Sequence, residues 1–185
     1  MARAKKAEPR SKKTDTSRVL LALGDDVSTD AIYPGRYMAT VLPSETPQYA
    51  FADHAGFQAL VKAKAVPKGG IVAAGENFGC GSSREQAASC LEGWDVVVVA
   101  RSFARIFLQN AINLGLKVVV APGFTADEGD EIELDGRCVR NNTKRRDYDV
   151  VSLPFARQAI IDAGGLIPYT RARLVAAKAD DARAR

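Results

Sequence analysis

The stretch VVVVARSFARIFLQNAINLGLKVVVA, residues 96–121, decides the fold. Its valine run at 96–99 and the run KVVVAP at 117–122 have the length and β-branched composition of buried strands. Ser102 is the predicted N-cap and Gly115 the predicted end of a helix between the two runs. One face of this helix is formed by residues at helical spacing, namely Phe103, Ile106, Phe107, Asn110, Ala111 and Leu114. A strand, a helix and a strand in this order predict two parallel strands joined by a crossover helix.

The same pattern extends toward the N-terminus. GGIVAAG at 69–75 predicts a strand with glycines at its ends, and RVLLALGDD at 18–26 predicts a short buried strand. Between them, 26–47 is rich in turn formers and is expected to be a long ordered loop. The segment 47–65 is predicted to be helical and broken near Gly56. These elements predict a mostly parallel sheet with crossover helices.

The last third of the chain has a different character. DEIEL and RCVR flank the pair Asp135-Gly136 and predict a hairpin. YDVVSL at 148–153 is expected to add a strand, and PFARQAIIDAGG at 154–165 predicts a short helix. The fold class is therefore predicted to be α/β, with a small β appendage attached to the parallel sheet.

Composition indicates one domain with a basic N-terminal tail. The chain has 185 residues, of which 46% are hydrophobic, and no apolar run reaches the ~20 residues of a membrane span. Residues 1–18 hold seven of the 26 basic and two of the 22 acidic residues, so the rest of the chain is nearly neutral. The tail has no apolar signal region, which favours a cytoplasmic protein. A solvated, disordered arm is favoured over a nucleic-acid-binding arm because no aromatic residue is interleaved with the charges.

The cysteines and the one histidine give no sign of a metal or redox site. Cys80, Cys90 and Cys138 lack close ligand spacing, and an odd number of cysteines argues against a disulfide framework. His54 lies in a predicted helical segment about thirty residues before Ser82, and nothing in the pattern brings the two together. The spacing therefore predicts no metal ligands in this chain, and an iron–sulfur site held by the three thiolates stays open without support from it.

The segment GENFGCGSSREQ, residues 75–86, is the strongest candidate for chemistry. A glycine-rich turn that follows a strand and opens a helix presents backbone N–H groups to an anion. Ser82, Ser83 and Arg84 are expected on the first turn of that helix, where they could hold a carboxylate or phosphate. An ordinary capping box from Ser82 to Glu85 explains the same residues equally well. As a nucleophile, Ser82 would need a base that the sequence does not supply nearby.

A second polar cluster lies in STDAIYPGRYM, where Thr29, Asp30 and Arg36 follow one another closely. Arg36 could clamp a carboxylate through two hydrogen bonds, and Asp30 could orient a side chain of a partner. Taken alone, this sequence pattern is more commonly explained by an Asx-type turn and a surface arginine. The two clusters together carry more information than either one.

Three segments in this order, DDVSTDAIYPGRYM, GENFGCGSSREQAA and ARSFARIFLQNAINLGL, resemble the small subunits of 3-isopropylmalate dehydratase. These are the separate-chain form of the swivelling domain of the aconitase family. The similarity runs from Leu20 to Leu174, so the resemblance implies a swivelling domain over 19–174. The tail 1–18 and the end 175–185, which is expected to fray, lie outside it.

The resemblance implies roles for the residues of both clusters. Ser82 corresponds to the serine alkoxide that takes the Cα proton of a hydroxy acid. Ser83 and Arg84 match residues that bind substrate carboxylate, and Arg36 occupies the position of a second carboxylate-binding arginine. Asp30 matches an acid that holds a histidine of the large subunit.

Thr29 and Gly81 are expected to support this site. The resemblance also implies that the [4Fe–4S] cluster, which acts as a Lewis acid on the leaving hydroxyl, belongs to an iron–sulfur large subunit. This chain would bind no cofactor and would be inactive alone. Gln86 stands where the family commonly has a histidine, and it cannot titrate near neutral pH.

Substrate choice is expected to depend on the segment after Gly35-Arg36. Tyr37, Met38, Ala39 and Thr40 offer no arginine for an extra carboxylate, which homoaconitase-type relatives have, so an isopropylmalate-like substrate is preferred over citraconate, a methylmalate or homoaconitate. Two other classes stay open: a non-catalytic module that binds nucleic acid through the basic tail, and a serine hydrolase that uses Ser82.

Overall fold

A computed structural model describes residues 15–40 and 42–183. Seven strands form one sheet in the order β4-β3-β2-β1-β5-β6-β7. The strands are β1 (Asp15–Ala22), β2 (Ile71–Ala74), β3 (Val97–Ala100), β4 (Lys117–Val120), β5 (Glu131–Leu134), β6 (Cys138–Asn141) and β7 (Arg146–Asp149). Strands β1 to β4 pair in parallel, and β5 to β7 form an antiparallel appendage that joins the sheet along β1.

Helices connect the parallel strands. The helices are α1 (Thr29–Ile32), α2 (Ala55–Lys62), α3 (Gln86–Glu92), α4 (Arg105–Leu114), α5 (Phe155–Asp162) and α6 (Leu166–Arg183). The segment 26–47, predicted to be a loop, also contains α1 and a 3-10 turn at Gly35–Tyr37. A second 3-10 turn, Thr46–Tyr49, lies at the start of the segment predicted to be helical. The break predicted near Gly56 falls between the second of these turns and α2, so Gly56 itself is helical.

The sheet curls around a small second core. Strand β1 pairs with β5 through its first half and with β2 through its second half. A bridge between Val120 and Val151 joins the edge strand β4 to the chain just beyond β7. Side chains on the inner face of the curl, including Val19, Ile71 and Ile132, pack together, while the helices cover the larger core on the outer face. The predicted mostly parallel α/β sheet with a β appendage is confirmed.

Several predicted boundaries differ from the structure. Residues 15–18, predicted to belong to the tail, form the part of β1 that pairs with β5, and this polar segment has no alternating pattern that would reveal a strand. Residues 175–183 continue helix α6 instead of fraying, because LVAAKADDAR is rich in strong helix formers. The rest of the predicted basic tail, residues 1–14, lies outside the described residues.

Helix α4 also differs in detail from the prediction. It begins at Arg105 with Ala104 as N-cap, and Ser102 does not cap it. The hydroxyl of Ser102 donates to Glu76 and accepts the N–H of Asn77. Because these distant residues use the hydroxyl, it does not cap the helix. On the predicted apolar face, Phe107 is buried but Ile106 is 43% exposed. Gly115 ends the helix in a left-handed conformation, as predicted.

No helix in the described parts of the chain is long and apolar enough to cross a membrane.

Candidate active site at the carboxyl edge of the parallel strands

Polar residues that directly follow β1, β2 and β3 meet at one edge of the sheet. The carboxylate of Asp25 accepts the backbone N–H of Glu76 at 2.7 Å and is paired with the guanidinium of Arg101. The N–H of Glu76 and the Arg101 guanidinium hold the pKa of Asp25 below its usual value. The side-chain amide of Asn77 donates to Asp26 at 2.8 Å. These contacts fix the loop after β1 against the loop after β2, and both loops carry predicted site residues.

Two glycines shape the loop after β2. Gly79 has φ 82°, and a Cβ at this position would lie 2.2 Å from the ring of Phe107, so no larger residue fits. Gly81 has φ 94°, in the left-handed region that favours glycine. Together they turn the chain back from the sheet, so that Ser82 reaches the segment that follows β1.

Ser82 is held by Thr29. The backbone N–H of Ser82 donates to the Thr29 hydroxyl oxygen at 3.1 Å, and the two hydroxyl oxygens are also 3.1 Å apart. The backbone N–H of Thr29 in turn donates to the carbonyl of Cys80 at 2.8 Å. Thr29 is 1% exposed, whereas Ser82 is half-buried. The predicted supporting residues Thr29 and Gly81 thus lie directly beside Ser82.

The capping-box interpretation of this segment is wrong. Helix α3 begins at Gln86, with Glu85 as N-cap and no side-chain capping bond. Ser82, Ser83 and Arg84 therefore precede the helix instead of forming its first turn. The hydroxyl of Ser82 contacts Thr29, 53 residues away, because the tight turn at Gly81 directs it across the sheet edge.

Arg84 is fixed by the segment after β1. Its Nη1 atom is paired with the carboxylate of Asp30 and donates to the carbonyl of Tyr33 at 3.3 Å. A Cβ at Gly35 would lie 3.4 Å from the Nη2 atom of Arg84, so the bare backbone of this glycine lets the guanidinium lie close. The Arg84 side chain is 19% exposed and Asp30 is 59% exposed. The pair thus holds the guanidinium near the surface in one orientation.

Arg36 lies in a separate ion pair. Its guanidinium makes two hydrogen bonds to Asp53, one of them from Nη1 at 3.0 Å, and lies 4.8 Å from the ring centre of Tyr37. The Asp53 carboxylate raises the pKa of the Arg36 guanidinium, and the same contact lowers the pKa of Asp53. Arg36 thus already holds a carboxylate in the two-pronged geometry that was predicted for a substrate.

The predicted specificity segment rests on a cluster of tyrosines. The ring of Tyr37 stacks on Tyr49 with centroids 4.1 Å apart, and the buried hydroxyl of Tyr33 donates to the carbonyl of Tyr37 at 3.1 Å. Burial raises the pKa of the Tyr33 hydroxyl. Beyond this anchor, Met38 and Ala39 are exposed. The segment is therefore fixed at Tyr37 and presents apolar side chains to the outside.

The structure brings some of the predicted residues into contact and leaves others apart. Five of them form one connected group of contacts: Thr29, Asp30, Gly81, Ser82 and Arg84. Arg36 and the segment Tyr37–Thr40 form a neighbouring group around Asp53 and the tyrosines. Ser83 is exposed, and its carbonyl accepts from the side-chain amide of Asn110 at 3.2 Å.

Sequence reasoning missed Asp53 and the supporting network of Asp25, Glu76 and Arg101. A usable signal existed for the network, since these residues follow three predicted parallel strands whose carboxyl ends must share one edge. Asp53 had no such signal, because its partner Arg36 lies 17 residues away across a loop.

The side chains of His54, Cys80 and Cys90 make no hydrogen bond to Ser82, Arg84 or Asp30. His54 is the N-cap of α2, and its Nδ1 atom accepts the N–H of Phe57 at 3.3 Å, so it is occupied away from Ser82. Cys80 donates from its thiol to the carbonyl of Asp26 at 3.3 Å, and burial raises the pKa of the Cys90 thiol. Within the described residues, no three His, Cys, Asp or Glu side chains are grouped to hold a metal ion.

Comparisons with known proteins identify the family of the chain. Residues 42–123 match the model of the aconitase C-terminal domain. The 3-isopropylmalate dehydratase small subunit of Methanosarcina mazei is 47% identical over 152 residues, covering 80% of this chain and 91% of that protein. The protein of the same name from Aquifex aeolicus is 42% identical over 158 residues, covering 82% and 91%.

A solved structure shares the fold. The crystal structure of 3-isopropylmalate dehydratase from Methanocaldococcus jannaschii aligns with a TM-score of 0.78 and 36% identity, covering 89% of this chain and 98% of that one. The chain belongs to the family of 3-isopropylmalate dehydratase small subunits.

Proposed function

We propose that this chain supplies the proton-abstracting serine and the carboxylate-binding arginines of a dehydratase whose active site is shared with a large subunit. Family membership confirms the prediction of a hydro-lyase subunit. One observation carries the residue assignment. Thr29 holds the hydroxyl of Ser82, and Asp30 holds the guanidinium of Arg84, which follows Ser82 by two residues in the chain. A proton acceptor next to an oriented cation is what removal of a proton beside a carboxylate requires.

In the proposed reaction, the Ser82 oxygen takes the proton from the carbon next to a substrate carboxylate. The C–H electron pair becomes the new C=C bond, and the C–O bond of the adjacent carbon breaks, with its oxygen leaving as water after taking a proton from an acid that the large subunit would supply. The reverse reaction adds water to the same double bond and returns a proton from Ser82. Adding the hydroxyl to the other carbon interconverts the 2- and 3-isomers of the hydroxy acid, the step of leucine biosynthesis for which the family is named.

Arg84 and Arg36 are proposed to bind the carboxylates of the substrate. The Nη1 atom of Arg84 is taken by Asp30 and Tyr33, and the Nε and Nη2 groups make no hydrogen bond to any residue that the structure describes. These groups can therefore donate to a carboxylate. Arg36 is exposed and holds the carboxylate of Asp53 through two hydrogen bonds, which supports its use as a second two-pronged site. Ser83 is exposed beside Arg84 and would complete the first site.

The part of the site that this chain lacks is assigned to the large subunit. In the proposal, a [4Fe–4S] cluster on that subunit supplies Lewis acidity to the leaving hydroxyl. No described residues of this chain are grouped as metal ligands, so no step is assigned to a metal here. The second carboxylate oxygen of Asp30 makes no hydrogen bond within the described ranges, and we propose that it receives a histidine of the large subunit.

The substrate is proposed to be an isopropylmalate-type dicarboxylate. Met38 and Ala39 project beyond the anchored Tyr37, and neither can pair with a third carboxylate. An apolar branch on the substrate could pack against them, whereas the extra carboxylate of homoaconitate would lose its hydration without a partner. Gln86 opens helix α3 just after Arg84 and adds a neutral amide instead of the histidine common in the family.

Coexpression with the matching large subunit tests this assignment. The anaerobically purified pair is assayed on 3-isopropylmalate, methylmalates, citraconate and homoaconitate. We expect a stable stoichiometric complex, highest kcat/KM on isopropylmalate, and no turnover by this chain alone. Preferred turnover of homoaconitate would overturn the substrate assignment, and full activity of the isolated chain would overturn the shared site.

A further inference from the structure

Which hydroxyl donates in the Thr29–Ser82 contact depends on the protonation state of Ser82. The Thr29 oxygen accepts the backbone N–H of Ser82 with one of its two lone pairs. An alkoxide at Ser82 can only accept, so in that state Thr29 must be the donor of the contact between the two hydroxyl oxygens. The Ser82 oxygen, 3.1 Å away, is the acceptor that the described residues offer to the Thr29 hydrogen. Thr29 is 1% exposed, so water does not compete readily for the bond.

We propose that Thr29 is a positioning residue that donates its hydroxyl hydrogen to Ser82 and stabilises the deprotonated form of that serine. The inference rests on the proposed function, in which Ser82 accepts a proton. A serine alkoxide is much less stable in water than the serine hydroxyl. A hydrogen bond from a buried donor stabilises an acceptor most when that acceptor carries a charge. The backbone N–H of Ser82 fixes which way the Thr29 hydroxyl must point.

The donor is rigidly placed. The backbone N–H of Thr29 is bonded to the Cys80 carbonyl, and Ser28 and Cys80 form a parallel bridge that extends the pairing of β1 with β2. Ser28 also caps α1 by accepting the N–H of Ala31 at 3.2 Å. The β-branched side chain of Thr29 has few rotamers, so its hydroxyl holds one direction. Such preorganisation avoids reorienting the donor when the charge appears.

The charged neighbours of this pair are few. Arg84 and Asp30 neutralise each other in their ion pair, and Asp25 is paired with Arg101. The remaining ionisable side chains of residues 25–30 and 75–86 are Asp26, Glu76, Cys80 and Glu85. From helix α4, the segment that carries Ser82 meets the apolar ring of Phe107 at Gly79 and the neutral amide of Asn110 at Ser83. With the charge of Arg84 balanced by Asp30, Thr29 is the neutral donor in direct contact with Ser82.

The test compares Thr29→Val and Thr29→Ser in the complex with the large subunit. Thr29→Val removes the donor, and we expect kcat to fall by about 10- to 100-fold, with KM little changed. The pH at which kcat rises should be higher in Thr29→Val, because Ser82 is harder to deprotonate without the hydrogen bond from Thr29. Thr29→Ser keeps the hydroxyl and should stay within about threefold of the wild-type rate.

A matched control is Thr46→Val, which removes a threonine hydroxyl from a second Thr–Ser pair, with Ser89, in the protein core. It should lower stability without moving the pH profile. Equal losses of kcat in Thr29→Ser and Thr29→Val, or an unshifted profile in Thr29→Val, would overturn the inference. If Thr29→Val does not assemble, Thr29→Ala against Thr29→Ser makes the same comparison. A fully active Ser82→Ala complex would instead refute the proposed function itself.

Discussion

Two threonine–serine pairs in this protein have the same chemistry and different surroundings. Thr46 and Ser89 lie in the core with their oxygens 3.0 Å apart, and both residues are buried. Thr29 and Ser82 lie at the carboxyl edge of the parallel strands with their oxygens 3.1 Å apart, and Ser82 is half-buried. Each pair joins a residue of the segment between β1 and β2 to a residue of the segment between β2 and β3.

The pairs differ in where their hydrogens go. In the core, Thr46 donates to the carbonyl of Pro43 at 3.1 Å, so Ser89 must donate to Thr46 and both hydrogens have acceptors. At the edge, either hydroxyl can be the donor of the contact, and in the arrangement proposed above Thr29 donates to Ser82, whose own hydrogen then has no acceptor among the residues described. We call a pair closed when both of its hydroxyl hydrogens have acceptors and open when one of them has none. A closed pair stabilises the fold, whereas an open pair leaves one proton that can be exchanged with a ligand.

The largest effect should come from removing the open serine. Ser82→Ala should lower kcat of the complex by about 10²- to 10⁴-fold, the range of a general base, while unfolding free energy changes by less than about 0.5 kcal/mol. Ser89→Ala should keep activity and lose about 1 kcal/mol of stability, since one buried hydrogen bond disappears. Steady-state kinetics and urea unfolding of both variants measure the contrast.

The opposite result would break the comparison. If Ser82→Ala unfolds at lower urea and keeps its kcat, the edge pair is structural like the core pair. If Ser89→Ala loses activity without losing stability, the closed pair reaches the site through helix α3, which carries Ser89.

Arg84→Lys should give the next largest effect. Lysine keeps the charge but has no planar fork, so it cannot bind Asp30 and the Tyr33 carbonyl while also binding a substrate carboxylate. We expect kcat/KM to fall by about 10- to 100-fold, mainly through KM, with Ser82 chemistry otherwise intact. Isothermal titration of a substrate analogue into the complex separates binding from turnover. Unchanged affinity would place the substrate carboxylate elsewhere.

Thr46→Val sharpens the comparison from the core side. The change leaves the hydroxyl of Ser89 without its buried acceptor, so we expect a loss of about 1–3 kcal/mol and a melting temperature lower by about 2–4 °C per kcal/mol. Calorimetry of the isolated chain measures this. A melting temperature equal to that of the wild type would show that water or a rotated Ser89 replaces the bond.

How much of this the sequence predicts depends on the range of the contacts. The parallel strands and the hairpin at Asp135-Gly136 follow from local periodicity and turn chemistry, and both are present. The predicted capping box was wrong because Ser82 hydrogen-bonds to Thr29, 53 residues away, and not to the helix start at Glu85, three residues away. Ser102 left its predicted cap for the same reason, since its partners are 25 and 26 residues upstream. The residue types of the site could be read from motifs, but not the hydrogen bonds that orient them.

The smallest effect is expected at the ion pair beside the site. Asp53 holds Arg36 on the exposed surface, where such pairs contribute little, so Asp53→Asn should raise KM by only about two- to fivefold with kcat unchanged. Mild acid will not imitate this variant, because the Arg36 guanidinium lowers the pKa of Asp53 and the carboxylate stays ionised until the pH falls below its usual titration range. A lower KM in Asp53→Asn would show instead that Asp53 competes with the substrate for Arg36. Either direction locates the second carboxylate site, and an unchanged KM would remove Arg36 from it.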